Sequence, residues 1–391
     1  MTAQVLNVPK PEWLDQEDVN IFDGAVRSFI EKECLPHGDR WEKEGMVDRE
    51  VWNKAGENGL LCPAAPEEYG GAGGDWRHDY AFHMAISEMG VDGWGASLHN
   101  SIVAPYVWHY GTEEQKKRIL PKLISGEYVG AIAMTEPGAG SDLQGIKTTA
   151  VKDGNGYKIN GSKTFITNGG TANFIVVVAK TDPKGGAKGT SLFLVETDGL
   201  DGFRRGRNLD KVGMKSQDTA ELFFEDMKVP AEALLGEAEG QGFFQLMEQL
   251  PQERLQIAVQ AVGMMKRALA ETIAYVKERQ AFGKPVMGFQ NTQFKLAELK
   301  SKATIAEVFV QHCSDLLIKG QLDAATASMA KYWTTDIQCE LIDECVQLHG
   351  GYGFMNEYPI ARMWRDSRVQ RIYGGTNEIM KELIARGLDK D

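Results

Sequence analysis

VKDGNGYKINGSKTFITNGG, residues 151–170, is where the chain changes its period. Asp153-Gly154 and Asn160-Gly161 are turn signals set around short runs that alternate apolar and polar residues. That is how half-buried strands joined by hairpins are written. Further along, FIVVVAK (174–180), TSLFLVE (190–196) and AELFFED (220–226) are β-branched or aromatic and of strand length. No helical pattern separates these runs, so βαβ units are excluded. An antiparallel sheet or small barrel is expected over 128–238.

The flanks have a helical period. VNIFDGAVRSFIEKECL (19–35) sets Ile21, Phe22, Val26, Phe29, Ile30 and Leu35 on an i, i+4, i+8 stripe. GTEEQKKRILPKLISGE (111–127) continues in that style, with Pro121 expected to bend or break it. After the sheet, Leu255, Val262, Leu269 and Val276 recur every seven residues, with Ala258 and Met265 between them. Such a seam suits a helix bundle. Further helices are expected over 293–319 and 324–348. The fold class is therefore α+β: a helical N-terminal domain (1–127), a middle antiparallel β-domain (128–238) and a C-terminal helical bundle (239–391).

The 391 residues carry a net charge of −12, with 42% hydrophobic and 25% charged residues. An acidic balance argues against nucleic acid as a partner, because phosphate backbones need a basic face. Five cysteines without a CxxC pair read as free thiols in a reducing compartment. No apolar run reaches the roughly 20 residues of a membrane span, and the polar, acidic start has no targeting pattern. A cytoplasmic location is the expectation. His78 and His83 are five apart, not the i, i+4 of helical zinc ligands, and no metal site is expected. No GxSxG elbow is present.

Five stretches carry candidate chemistry, each with a plainer alternative. AIAMTEPGAGSD (131–142) gathers Thr135, Gly138, Gly140 and Ser141, small groups that let a planar or anionic ligand approach the backbone; the alternative is an ordinary turn. It is not the GxGxxG that opens a dinucleotide-binding helix. In NGSKTFITNGG (160–170), Phe165 and Thr167 share one face of a strand; the alternative is a core Phe with a surface Thr. PQERLQIAVQAVG (251–263) places Glu253 and Arg254 near the start of the seamed helix, where a Glu merely complements the helix dipole. ERQAFGKPVMGFQ (278–290) offers Arg279 and Lys284 to a pyrophosphate or to solvent at a helix end. RIYGGTNEIMKEL (371–383) interrupts a helical run with Gly374 and Gly375, each worth about 1 kcal/mol against Ala in a helix, so the pair must serve a turn or a close approach.

Taken together these stretches resemble the acyl-CoA dehydrogenase family. The likeness runs collinearly through PEEYGG (66–71), TEPGAGSD, NGSKTFITNG, FEDMKVP (224–230), ERQAFGKP, QLHGGYGF (347–354) and YGGTNEI. LPQERL (250–255), QLDAATASMAKYW (321–333) and IYGGTNEIMKELIAR (372–386) are most similar to its long-chain branch. The resemblance implies a helical domain, a β-domain and a four-helix bundle assembled as a homotetramer. It implies bound FAD, oxidation of a fatty acyl-CoA to a trans-2-enoyl-CoA as in fatty acid β-oxidation, and electron-transfer flavoprotein as acceptor. Ile132, Met134, Thr135, Gly140 and Ser141 would hold the flavin, with Phe165 and Thr167 flanking its ring. Arg279, Phe282 and Gln290 would reach the FAD of a neighbouring subunit, Gln347 and Gly351 its adenosine half, and Thr376 and Glu378 would also contact FAD. Ser141, Arg254 and Gly375 would meet the substrate.

The family's usual catalytic Glu follows the Tyr of the YGG motif, and here Tyr373 is followed by Gly374. The resemblance then moves the base to Glu253, as in the long-chain and isovaleryl branches. Glu253 would take the Cα proton while hydride passes from Cβ to flavin N5. The thioester oxygen would be held by a ribityl hydroxyl and a backbone N–H of the 374–375 turn. A desolvated pocket should raise the Glu253 pKa toward neutrality. Branched short-chain or terpenoid acyl-CoA substrates, an oxidase or flavin monooxygenase, and a non-catalytic flavin- or acyl-CoA-binding scaffold are the rivals.

Overall fold

A computed structural model describes residues 5–388. The N-terminal helices are α1 (Glu17–Phe29), α2 (Gly38–Glu44), α3 (Arg49–Glu57), α4 (Trp76–Met89), α5 (Ala96–Leu98), α6 (Ala104–Tyr110) and α7 (Glu113–Ile124). Of the stripe read in 19–35, Val26, Phe29 and Ile30 are buried, but Ile21 and Leu35 are exposed. For Leu35 the cause is a π-helical turn, Ile30–Cys34, which ends α1 and rotates the next residues away from the core. α7 starts on a capping box made by Thr112 and Gln115 and runs through Pro121 to Ile124. Pro121 therefore does not break the helix.

The sheet holds β1 (Gly130–Ala133), β2 (Thr149–Asp153), β3 (Gly156–Thr167), β4 (Phe174–Lys180), β5 (Thr190–Glu196), β6 (Phe203–Asn208) and β7 (Thr219–Pro230). Its order is β1-β4-β2-β3-β7-β6, with β5 on β4. The main ladders are antiparallel, but β1 lies parallel to β4, from Gly130 opposite Phe174 to Ala133 opposite Val177. Every residue of β4 is buried, which explains why FIVVVAK shows no alternation.

Asn160-Gly161 is not a hairpin turn. β3 passes straight through it, and the register against β7 slips between Ile159 and Gly161. The Asn160 side chain accepts from the Asp226 N–H at 2.8 Å across the ladder. A Cβ on Gly161 would lie 2.4 Å from Thr148 Oγ1, so the glycine serves a close approach. A second slip falls between Lys163 and Ile166, with Phe165 at φ +59°. Up to it the buried positions are odd (Tyr157, Ile159, Lys163); beyond it they are even (Thr164, Ile166). A one-residue bulge exchanges the two faces of a strand. Here it sends Lys163 inward and Phe165 outward.

The C-terminal helices are α8 (Gly242–Glu278), α9 (Gln290–Ile318), α10 (Ala324–His349), α11 (Pro359–Ser367) and α12 (Asn377–Leu388). A short hairpin, β8 (Gln280–Ala281) with β9 (Lys284–Pro285), joins α8 to α9. The heptad seam of α8 is sealed: Leu255, Ala258, Val262, Met265, Leu269 and Val276 are all fully buried. α4 belongs to two cores at once. Phe82, Ala85 and Ile86 pack with the N-terminal helices and the sheet, while Tyr80, Ala81 and Met84 pack into the bundle.

Candidate active site

α8 begins at Gly242, so Glu253 sits beyond its first turns and not at its start. The dipole explanation for this residue therefore fails. Glu253 is 5% exposed, and Oε1 accepts a hydrogen bond from the Tyr106 hydroxyl of α6 at 2.8 Å. Removal from water pushes its pKa up to about 7, against the opposing pulls of Tyr106 and of the Arg254 charge. A carboxyl so tuned is half ionised near neutrality, as a general base should be.

One turn along the same face, Ile257 packs against the YGG turn. Gly374 and Gly375 both have positive φ, +65° and +89°, and a Cβ on Gly374 would stand 2.4 Å from Ile257 Cδ1. The double glycine thus lets the backbone lie directly against the helix that carries Glu253. A glutamate at 374 would be doubly disfavoured, by its backbone angle and by Ile257. The turn is tied down by Lys331 of α10, whose Nζ donates to the Gly375 carbonyl at 2.7 Å and to Asn377 Oδ1 at 2.9 Å. Burial, and then the nearby Arg254 charge, pull Lys331 down to about 7. Arg254 is itself 5% exposed. It reaches only Ser328 Oγ, at 3.4 Å, and its Nε has no partner among the described residues. Thr376 caps α12 through the Ile379 N–H at 3.3 Å, while Glu378 is exposed.

A second group forms at the sheet. Ile132 and Met134 lie half-buried at the end of β1, and the Thr135 carbonyl accepts from the Thr164 N–H at 3.0 Å, which sets the 134–141 loop beside β3. The buried Lys163 locks that join: Nζ donates to the Met134 carbonyl at 3.0 Å and to Glu136 Oε1 at 2.9 Å. Glu136 also accepts from the N–H groups of Lys147 and Thr148. Gly140 and Ser141 are exposed, and a Cβ at Gly138 or Gly140 would meet nothing within 4 Å. Phe165 is 67% exposed beside Thr167, so it is not a core residue. A bare aromatic face next to an open loop of small residues fits a planar ring system carrying polar edges.

A third group is a cleft of about 550 Å³ that brings Arg279, Gln347 and Gly351 together, lined also by Tyr275, His349 and Tyr352. Phe282 and Gln290 lie outside its lining. Phe282, 97% exposed, sits in the hairpin edge-on to Phe289, and Gln290 opens α9.

Three family models match in order: the acyl-CoA dehydrogenase N-terminal domain over residues 16–127, the middle domain over 131–227 and the C-terminal domain over 240–388. The chain belongs to the acyl-CoA dehydrogenase family. This dehydrogenase is 52% identical to the long-chain specific acyl-CoA dehydrogenase, mitochondrial, of Sus scrofa, over 95% of its own length and 86% of that protein. It superposes on an acyl-CoA dehydrogenase from Geobacillus kaustophilus with a TM-score of 0.93 and 51% identity, covering 96% and 98% of the two chains. An acyl-CoA dehydrogenase from Bacillus anthracis complexed with FAD matches with a TM-score of 0.90 and 33% identity, over 99% of this chain and 71% of that one. FAD is the cofactor of the dehydrogenase, and the loop and exposed phenyl ring of the sheet group suit a flavin.

Sequence reasoning missed Tyr106, Lys163, Ile257 and Lys331. Tyr106 is 147 residues from its partner and has no local mark. Lys163 had one: a lysine inside a strand whose neighbours alternate inward.

Proposed function

We propose that this dehydrogenase removes two hydrogens from Cα and Cβ of a fatty acyl-CoA, giving the trans-2-enoyl-CoA, with Glu253 as the base. The observation that carries this is the buried Glu253 carboxyl, held by Tyr106 on a helix whose next turn, at Ile257, packs against a glycine turn that offers no carboxylate of its own. Glu253 takes the Cα proton, and the electron pair of that C–H bond becomes the Cα–Cβ π bond as hydride leaves Cβ. FAD, when bound, supplies the acceptor for that hydride. N–H groups of the 374–375 turn, which Lys331 fixes through the Gly375 carbonyl, steady the negative charge that builds on the thioester oxygen. Arg254, with a donor unused, orients the bound thioester or the base. Met134, Thr135, Gly140 and Ser141 bind the flavin, with Ile132 behind them and Phe165 and Thr167 beside the ring.

A length supports an assembly in which Arg279 contacts FAD. Glu253 and Glu278 are joined by continuous α8, so they stand about 38 Å apart at 1.5 Å per residue. That is farther than one FAD reaches, so Arg279 and its hairpin serve the cofactor of another subunit. The exposed apolar side chains Phe282, Phe294, Ile305 and Val308 on the hairpin and α9 suit such packing, and we assign a homotetramer. Electron-transfer flavoprotein is the proposed acceptor. Support comes from a structure described as electron transferring flavoprotein of Acidaminococcus fermentans, one chain of which matches this one at 39% identity.

Anaerobic titration of the holoenzyme with acyl-CoAs of graded length and branching tests the reading, with Glu253→Gln alongside. Loss of the flavin band in wild type only, greatest with long straight chains, is expected. Bleaching in both proteins would place the base elsewhere, and bleaching in neither would refute the dehydrogenase reading.

A further inference from the structure

Of the two oxygens of Glu253, the structure commits one. Oε1 is bonded to Tyr106, itself fully buried, whereas Oε2 carries no hydrogen bond among the described residues. We propose that Tyr106 is the positioning residue of the base: its hydroxyl anchors Oε1 and thereby leaves Oε2 as the oxygen that receives the Cα proton. The proposal rests on Glu253 being the base.

The geometry gives Tyr106 little freedom to do otherwise. It sits in α6, just beyond the π-helical turn His99–Val103. The same turn takes a hydrogen bond from α8, Gln252 Nε2 to the Ser101 carbonyl at 3.4 Å. The two elements are thus pinned close to the Tyr106–Glu253 bond. A carboxylate free to rotate would present either oxygen; one held by a hydrogen bond from a buried phenol presents a single one.

Few charged groups compete. α6 contributes Tyr106 and, farther off, Tyr110, whose hydroxyl is engaged with Glu248 and Gln249 at 2.9 and 3.0 Å. α8 contributes Arg254, and α10 contributes Lys331 beyond it. The 374–375 turn contributes only glycines. Arg254 and Tyr106 both favour the ionised carboxyl, so removing the phenol weakens one of two supports.

Tyr106→Phe keeps the ring and removes only the donor. Its kcat/KM profile should retain a bell, with the acid limb moved upward by about one pH unit, the scale of a charge-assisted hydrogen bond. The carboxylic C=O infrared band of the resting holoenzyme, assigned by its loss in Glu253→Gln, should titrate upward by the same amount. Tyr110→Phe should leave both where they are. An acid limb and an infrared band unmoved in Tyr106→Phe, or moved equally in Tyr110→Phe, would overturn the proposal while leaving the base assignment intact. Wild-type bleaching in Glu253→Gln would remove the base itself, and the role of Tyr106 with it.

Discussion

Replacing Gly374 with Ala tests the contact between the glycine turn and Ile257, one turn along α8 from Glu253. Two costs can be read off the structure. At φ +65° a Cβ costs about 1–2 kcal/mol in the left-handed region. It also lands 2.4 Å from Ile257 Cδ1, and Ile257, 4% exposed, must leave its rotamer at about 1 kcal/mol. Gly374→Ala should therefore cost about 2–3 kcal/mol. Ile257→Val removes the clashing carbon and alone costs about 0.5–1.5 kcal/mol. The next Ile257 atom, Cγ1, is at an unobjectionable 4.0 Å. In the valine background only the backbone cost survives, so the cycle should show about 1 kcal/mol of favourable coupling. Urea titrations of the four flavin-loaded proteins give the cycle. Because Ile257 lies one turn from Glu253, anaerobic bleaching should slow in Gly374→Ala and recover partly in the double variant. Additivity within about 0.3 kcal/mol, with no kinetic recovery, would refute the contact.

Two further outcomes concern buried charges. In the folded protein Glu253 holds its proton more tightly than its ordinary value of 4.5 allows, up to about 7, so ionising it costs stability. That penalty is absent below about 4.5, grows across the interval and is complete above 7, where it approaches about 3 kcal/mol. Glu253→Gln should therefore melt higher than wild type above neutrality and converge with it in acid; a difference independent of pH would contradict this. Lys163→Met strands Glu136 in the interior, a loss of about 3–5 kcal/mol, and frees the Met134 carbonyl. Flavin content, read from the ratio of flavin to protein absorbance, should fall sharply. Full retention would mean that the 134–141 loop holds its shape without the ion pair.

The large divisions of the fold were legible because they rest on period. A seven-residue seam in α8 and β-branched runs in β4 and β5 state their partners' chemistry without naming the partners. Local phase stayed hidden. Asn160-Gly161 has the residues of a turn but runs on through β3 opposite a bulge in β7, where Asn160 bonds across the ladder and Gly161 admits Thr148. Phe165 reads as core until a second slip turns it outward. At the site, the absence of a carboxylate at 374 was visible, and family likeness pointed to Glu253 as the residue to propose in its place. The phenol that holds Glu253, the glycine turn that packs on Ile257 and the lysine that fastens that turn come from distant parts of the chain, and no spacing rule reaches that far.

The length of α8 links two equilibria that are usually measured apart. With Glu253 in the first half of a long helix and Arg279 just past its end, each cofactor in the proposed tetramer would be clasped by two chains. Flavin then acts as an adhesive between subunits, and by mass action assembly and cofactor retention rise and fall together. Dilution alone would loosen the yellow colour, and added FAD would restore the oligomer at concentrations where the bare protein has come apart.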